Sequence, residues 1–184
     1  MQVPRRVART TLDLIAARRL DPPPAARALA LTLGALHDAA WLARQSGRAV
    51  DSDTAAAVAA TRVQMALFER DGARLASELR SALPPLPAEV DRASWALGGA
   101  VADAVLAFAQ QDGAAQASQG NAAQPSGEGL WAPLSGQRAL EPGWGRVQPI
   151  GLAPDALPQS RRPPAGRAPS SPPTASVSPT SRPD

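Results

Sequence analysis

Two proline clusters, Pro22-Pro23-Pro24 and Pro84-Pro85-Leu86-Pro87, set the punctuation of the chain through Gly113. A proline pushes the residue before it out of the helical region, yet it is well accepted in a helix's first turn. Each cluster therefore ends one helix and starts another. The first helix is expected from about Val7 to Leu20, with Leu12, Ile15 and Ala16 on one face, and to stop at Asp21. The second is expected to take Pro24 into its first turn and run to about Arg44, with Ser46-Gly47 ending it. It is apolar nearly all round, the mark of a central helix. Asp51-Ser52-Asp53 offers N-caps for a third helix reaching about Arg70 through Val58, Met65 and Phe68, and Asp71 can cap a shorter fourth with Leu75, Leu79 and Leu83. In the fifth, Val90, Ser94, Leu97, Val101, Ala104 and Phe108 step by fours and threes as a bundle seam does. Gly98-Gly99 in mid-helix costs about 1 kcal/mol per glycine relative to Ala, and close approach of a neighbouring backbone is the usual compensation. Gly113 supplies the stop.

No strand pattern and no internal repeat appears, so the expected fold is all-α: an antiparallel bundle of about five helices over residues 7–113. Residues 114–130, made largely of Gln, Ala, Ser and Gly, read as a linker. Residues 131–152 carry tryptophans and turn residues without periodicity and read as a connector that packs on the bundle. Residues 153–184 are rich in Pro, Ser and Arg, a composition expected to stay disordered. The hydrophobic fraction is 44% but aromatics are only 3%, so alanine must supply much of the core. Burial is worth about 25 cal/mol per Å². A core of such small side chains gains by close helix approach rather than by bulk.

The net charge is only +3 although the pI is near 11.1, because all basic residues are arginine and there is no Tyr or Cys. A basic-protein reading does not follow. Arg161, Arg162, Arg167 and Arg182 are spread through the tail without interleaved aromatics, which makes a weak phosphate-binding patch. No nucleic-acid partner is expected. The apolar run from Ala25 to Ala43 is about long enough to span a bilayer. Arg27, His37 and Asp38 interrupt it, so it reads as a buried helix. No signal peptide is seen and a cytoplasmic location is the default expectation.

The chemistry-bearing residues are few. His37-Asp38 is the one His–carboxylate neighbourhood. Adjacent helix positions point about 100° apart, so the pair reads as two polar groups tied to neighbouring helices inside a bundle. Arg27 lies three turns before Asp38, too far for a bridge, so each needs a partner elsewhere. Asp51-Ser52-Asp53 lacks the glycine and terminal Glu of a calcium loop, and capping is the better reading. No zinc-type ligand spacing occurs. Gly143-Trp144-Gly145 follows no strand and is not a phosphate loop.

Several segments in order resemble the bacterial vanadium-haloperoxidase and type 2 phosphatidic acid phosphatase superfamily. Arg27-Ala28-Leu29-Ala30 followed by His37-Asp38-Ala39 is similar to that family's early helix. Asp103 and the Asp112-Gly113 end match a later helix, and Trp131-Ala132-Pro133 with Pro142-Gly143-Trp144-Gly145 through Pro149 match the connector before the catalytic half. The resemblance covers about residues 8–152. It implies a vanadate or phosphate cage built from a Lys, two Arg, a Pro-Ser-Gly-His segment and a second His. This chain has no Lys and a single His, and Glu128 stands after Pro125-Ser126-Gly127 where the His belongs. No catalytic, cofactor-binding or metal residue is therefore expected here, vanadate or phosphate belonging only to a full-length relative. The expected function is that of a truncated or frame-shifted relative, inactive alone. The alternative is a free-standing helical interaction module, with self-association or a protein partner on the uncovered bundle face.

Overall fold

The computed structural model describes residues 3–47, 49–119 and 140–152. Among these residues it is all-α, with no strand, in the order α1 (Val3–Arg18), α2 (Pro22–Gln45), α3 (Ser52–Leu67), α4 (Gly72–Ala82), α5 (Ala88–Gln111) and α6 (Ala114–Gln119). Two 3₁₀ turns, Glu69–Asp71 and Trp144–Arg146, complete it. The expected tail at 153–184, the segment with Trp131, and Pro125-Ser126-Gly127-Glu128 lie outside the described residues. The linker expected from Ala114 instead opens with the short helix α6.

Local rules account for the boundaries. Helix α2 starts at Pro22 and so takes Pro24 into its first turn as expected; its first three residues are prolines without N–H groups to cap. Asp21 accordingly makes no side-chain capping bond, and the first helical donor, Ala25 N–H, reaches Asp21 O at 2.9 Å. Helix α1 closes in a Schellman arrangement: Leu20 N–H donates to Ile15 O at 3.2 Å and Arg19 N–H to Ala16 O at 3.1 Å. This puts Arg19 at φ +50°, where glycine is the usual occupant. Asp51 caps α3 as expected, accepting Thr54 N–H at 2.7 Å. Asp71 does not cap α4; its side chain is taken by arginines instead. Gly113, at φ +85°, follows the end of α5 as expected.

The central helix is α3, not α2. Ten consecutive or near-consecutive α3 residues from Thr54 to Gln64 are buried, whereas α2 leaves His37, Asp38, Trp41 and Leu42 exposed. Small side chains explain the choice. Ala55 and Ala59 with Val63 form one ridge of α3, and Leu31, Ala35, Ala39 and Ala43 form a matching ridge of α2. Both step by four, the spacing at which helix ridges interdigitate. On the α5 side Gly98 is buried so closely that a Cβ there would sit 2.5 Å from Ala55 O and 2.8 Å from Val58 Cβ. The close approach inferred from Gly98-Gly99 is thus made to the backbone of α3.

Two expected faces turn out rotated. In α1 the buried residues are Val7, Thr11 and Leu14, while Leu12 and Ala16 are exposed. Thr11 can be buried because its hydroxyl donates to Val7 O at 2.8 Å and accepts Gln64 Nε2–H at 2.9 Å. In α5, Ser94 and Val101 are buried as expected but Ala104 is exposed, since the glycine pair turns the contact face toward Gly98 and Ala102. Ser94 also ties α5 to the start of α3: it accepts Asp51 N–H at 2.9 Å and donates to Val90 O at 2.7 Å.

Candidate functional site

Three of the segments singled out from the sequence meet at one place, the C-terminal end of α5. Arg27, in the first turns of α2, donates from Nε to Asp112 Oδ2 at 2.6 Å and from Nη2 to Ala109 O at 2.8 Å. The Asp112 side chain is 1% exposed and that of Arg27 17%, so this is a buried, charge-assisted pair. Ala109 O is one of the last carbonyls of α5, which have no partner within the helix. A cation there is also favoured by the helix dipole. The other Asp112 oxygen, Oδ1, accepts Ala114 N–H at 2.9 Å and starts α6.

The connector closes over this junction. Gln148 N–H donates to Asp112 O at 2.7 Å. Gly143 lies against α6 so tightly that a Cβ would meet Ala117 O at 2.7 Å and Ala117 Cα at 3.0 Å. Only glycine fits there. The backbone then turns through Trp144–Arg146, with Trp144 N–H on Glu141 O at 3.0 Å and Val147 N–H on Trp144 O at 3.0 Å. This brings the half-buried Trp144 into a groove of about 470 Å³ shared with Arg27, Ala28, Phe68 and Ala109. The connector thus packs on the end of α5 and on α6 rather than along the whole bundle.

His37 and Asp38 sit elsewhere. They are exposed on α2, and His37 Nδ1 is 3.1 Å from Asp38 Oδ1. The expectation of a pair buried among neighbouring helices, each bonded outward, is corrected. At the surface neither side chain is confined, and rotation about χ1 closes the angle between adjacent positions. Asp103 is exposed as well and pairs with Arg62 at 3.4 Å. Asp51 caps, and Asp53 lies exposed in the first turn of α3. Among the described residues no group of three His, Asp or Glu side chains comes together.

Sequence reasoning did not find the Arg27–Asp112 pairing or the role of Asp71. The signal for the first was present: an arginine in an alanine-rich helix must be paired if it is buried. The second is a surface hub. Arg18, which donates to Asp71 Oδ2, together with Arg74, holds the Asp71 carboxyl below its ordinary value against the opposing effect of burial. Among the described residues α5 is the helix long and apolar enough, by length and composition, to cross a bilayer, whereas the run weighed from the sequence was Ala25 to Ala43. Its glycine face packs on α3 here.

No family profile, no curated protein and no solved structure matches the chain.

Proposed function

We propose that the bundle corresponds to the scaffold half of a vanadium-haloperoxidase or type 2 phosphatidic-acid-phosphatase-like protein. The observation that carries this reading is the convergence of three segments of the resemblance on one junction. Arg27 of the early helix, Asp112-Gly113 at the later helix end and Gly143-Trp144 of the connector are held together by an ion pair, a backbone hydrogen bond and a glycine contact. In this reading Arg27 is spent on structure: its Nε and Nη2 bind Asp112 and a helix-end carbonyl. Oxyanion chemistry needs preorganised donors aimed at developing charge, and those would come from sequence beyond this scaffold. The proposed frame shift, which rests on the composition of the tail, belongs to the same reading.

Two experiments test it. The purified chain, given vanadate, bromide and peroxide, or a phosphomonoester, is expected to turn over neither above background. Vanadate-dependent bromination that disappears on His37→Ala would overturn the reading. Sequencing the genomic DNA past codon 150 is expected to show, in another frame, text encoding Lys, Arg and a Ser-Gly-His segment; DNA without it sinks the frame shift. A second reading, the interaction module, is favoured by Trp41, 50% exposed beside the exposed Leu42 on α2. Saturable binding of a specific protein that Trp41→Ala abolishes would support that reading.

A further inference from the structure

Among the described aromatic side chains only Trp41 is exposed; Phe68 is buried, and Trp95, Phe108 and Trp144 are partly buried. Trp41 is 50% exposed and its neighbour Leu42 38%. Both lie in the last turns of α2, which ends at Gln45. An indole and a leucine left in water by their own bundle form a patch that burial against a second surface stabilises.

The charges around the patch identify that surface. Asp38 and Arg44 stand three residues before and three residues after Trp41, and both are exposed. Consider two α2 helices paired antiparallel about a two-fold axis at Trp41. Asp38 of each copy then lies level with Arg44 of the other, and the symmetry makes the contact on both sides of the axis. The two residues flank Trp41 by about 60° in opposite senses. Each ion pair therefore crosses the contact diagonally, a span that the long arginine side chain covers. His37, bonded to Asp38 at 3.1 Å, falls level with the neutral Gln45. A parallel pair would instead set Asp38 level with Asp38 and Arg44 level with Arg44, which is repulsive. The end of α2 is self-complementary in the antiparallel sense alone.

The geometry points to a second copy of this chain as the occupant: two copies pair through the C-terminal half of α2, with the Trp41 rings in contact at the axis and an Asp38–Arg44 ion pair on either side. This inference rests on the interaction-module reading and names its partner. One helix face per copy is a smaller contact than the ~1,200 Å² of stable interfaces, so the pairing is weak and set by concentration.

Sedimentation equilibrium of the full chain from about 10 µM to about 1 mM is expected to show a monomer–dimer equilibrium. Trp41→Ala is expected to abolish it with an unchanged far-ultraviolet circular dichroism spectrum. Asp38→Arg and Arg44→Asp are each expected to weaken self-pairing by at least about tenfold, since like charges then face one another on both sides of the axis. Mixing these two variants restores opposite charges on both sides. The mixture is expected to form a heterodimer at least about tenfold tighter than either variant with itself. A parent chain that stays monomeric, association unchanged by Trp41→Ala, or a mixture that associates no better than its components would overturn the pairing. A monomeric parent that binds a different protein through Trp41 would overturn it too, while leaving the interaction-module reading in place.

Discussion

Single residues show where this fold holds cost and where it holds charge. Arg19 occupies the left-handed region at φ +50° only because the end of α1 requires it. For a residue with a Cβ that conformation costs about 1–2 kcal/mol, part of which glycine gives back through its own unfolded-state entropy. Arg19→Gly is therefore expected to raise stability by about 0.5–1 kcal/mol, read as a higher urea midpoint with an unchanged slope. Arg27 and Asp112 behave in the opposite sense. Removing one partner strands the other: Arg27→Met leaves a carboxylate that is 1% exposed without its cation. A cost of about 3 kcal/mol is expected from breaking such a buried pair. In a double-mutant cycle with Asp112→Asn the two costs should be strongly non-additive. Additive costs would mean that the pair contributes nothing as a pair.

At the scale of elements, the adjacent glycines of α5 separate two effects that usually come mixed. A methyl at Gly98 meets the α3 backbone at Ala55 O, whereas one at Gly99 meets only the far end of the Arg62 side chain, Nη1, at 2.5 Å. Gly98→Ala must push two helices apart and is expected to destabilise by about 1–3 kcal/mol. Gly99→Ala displaces a flexible guanidinium and gains helix propensity, so it should be neutral or stabilising by up to about 1 kcal/mol. Thermal unfolding of the two variants side by side checks the sign of each; equal effects would contradict the crossing at Gly98. The connector is the other element open to test. Trp144 is half-buried beside Arg27 and Phe68, so Trp144→Ala should cost about 2 kcal/mol, roughly half of a full aromatic truncation. A Trp144 readily quenched by acrylamide and silent on substitution would mean that the connector is not docked.

For the whole molecule, acid is the informative variable. Asp71, at the start of α4, is held by Arg18 from the end of α1 and by Arg74 one turn further on. Hydrogen bonding to Arg18, and then to Arg74, lowers its pKa from the ordinary 3.8. A depressed carboxylate pKa contributes stability that is fully present above the unfolded-state value and is lost as pH falls through the folded one. The α1–α4 tie should therefore be complete at neutral pH and weaken below about pH 4. Asp71→Asn is expected to lower the unfolding midpoint at pH 7 and to narrow its difference from the parent at acid pH; a difference that does not change with pH would rule out the carboxylate as its cause.

What the sequence determined by itself is what short-range backbone chemistry decides. The proline clusters, the Asp51 cap and Gly113 mark helix ends through effects that act within about one turn, and the Gly98-Gly99 pair announced a close contact. Tertiary structure decided the rest. α2 is the more apolar-looking helix, yet α3 takes the centre, because small residues on several of its faces let α1, α2, α4 and α5 approach together. Arg27 finds its partner 85 residues along the chain and Arg18 finds Asp71 at a separation of 53. Neither pairing has a local signature. A buried charge states in the sequence that it needs a counter-charge, but which one it meets depends on how the helices cross. The same holds for Gln64: a glutamine among alanines reads as an ordinary helix residue until α1 takes its amide N–H groups at Val7 O and Thr11 Oγ1.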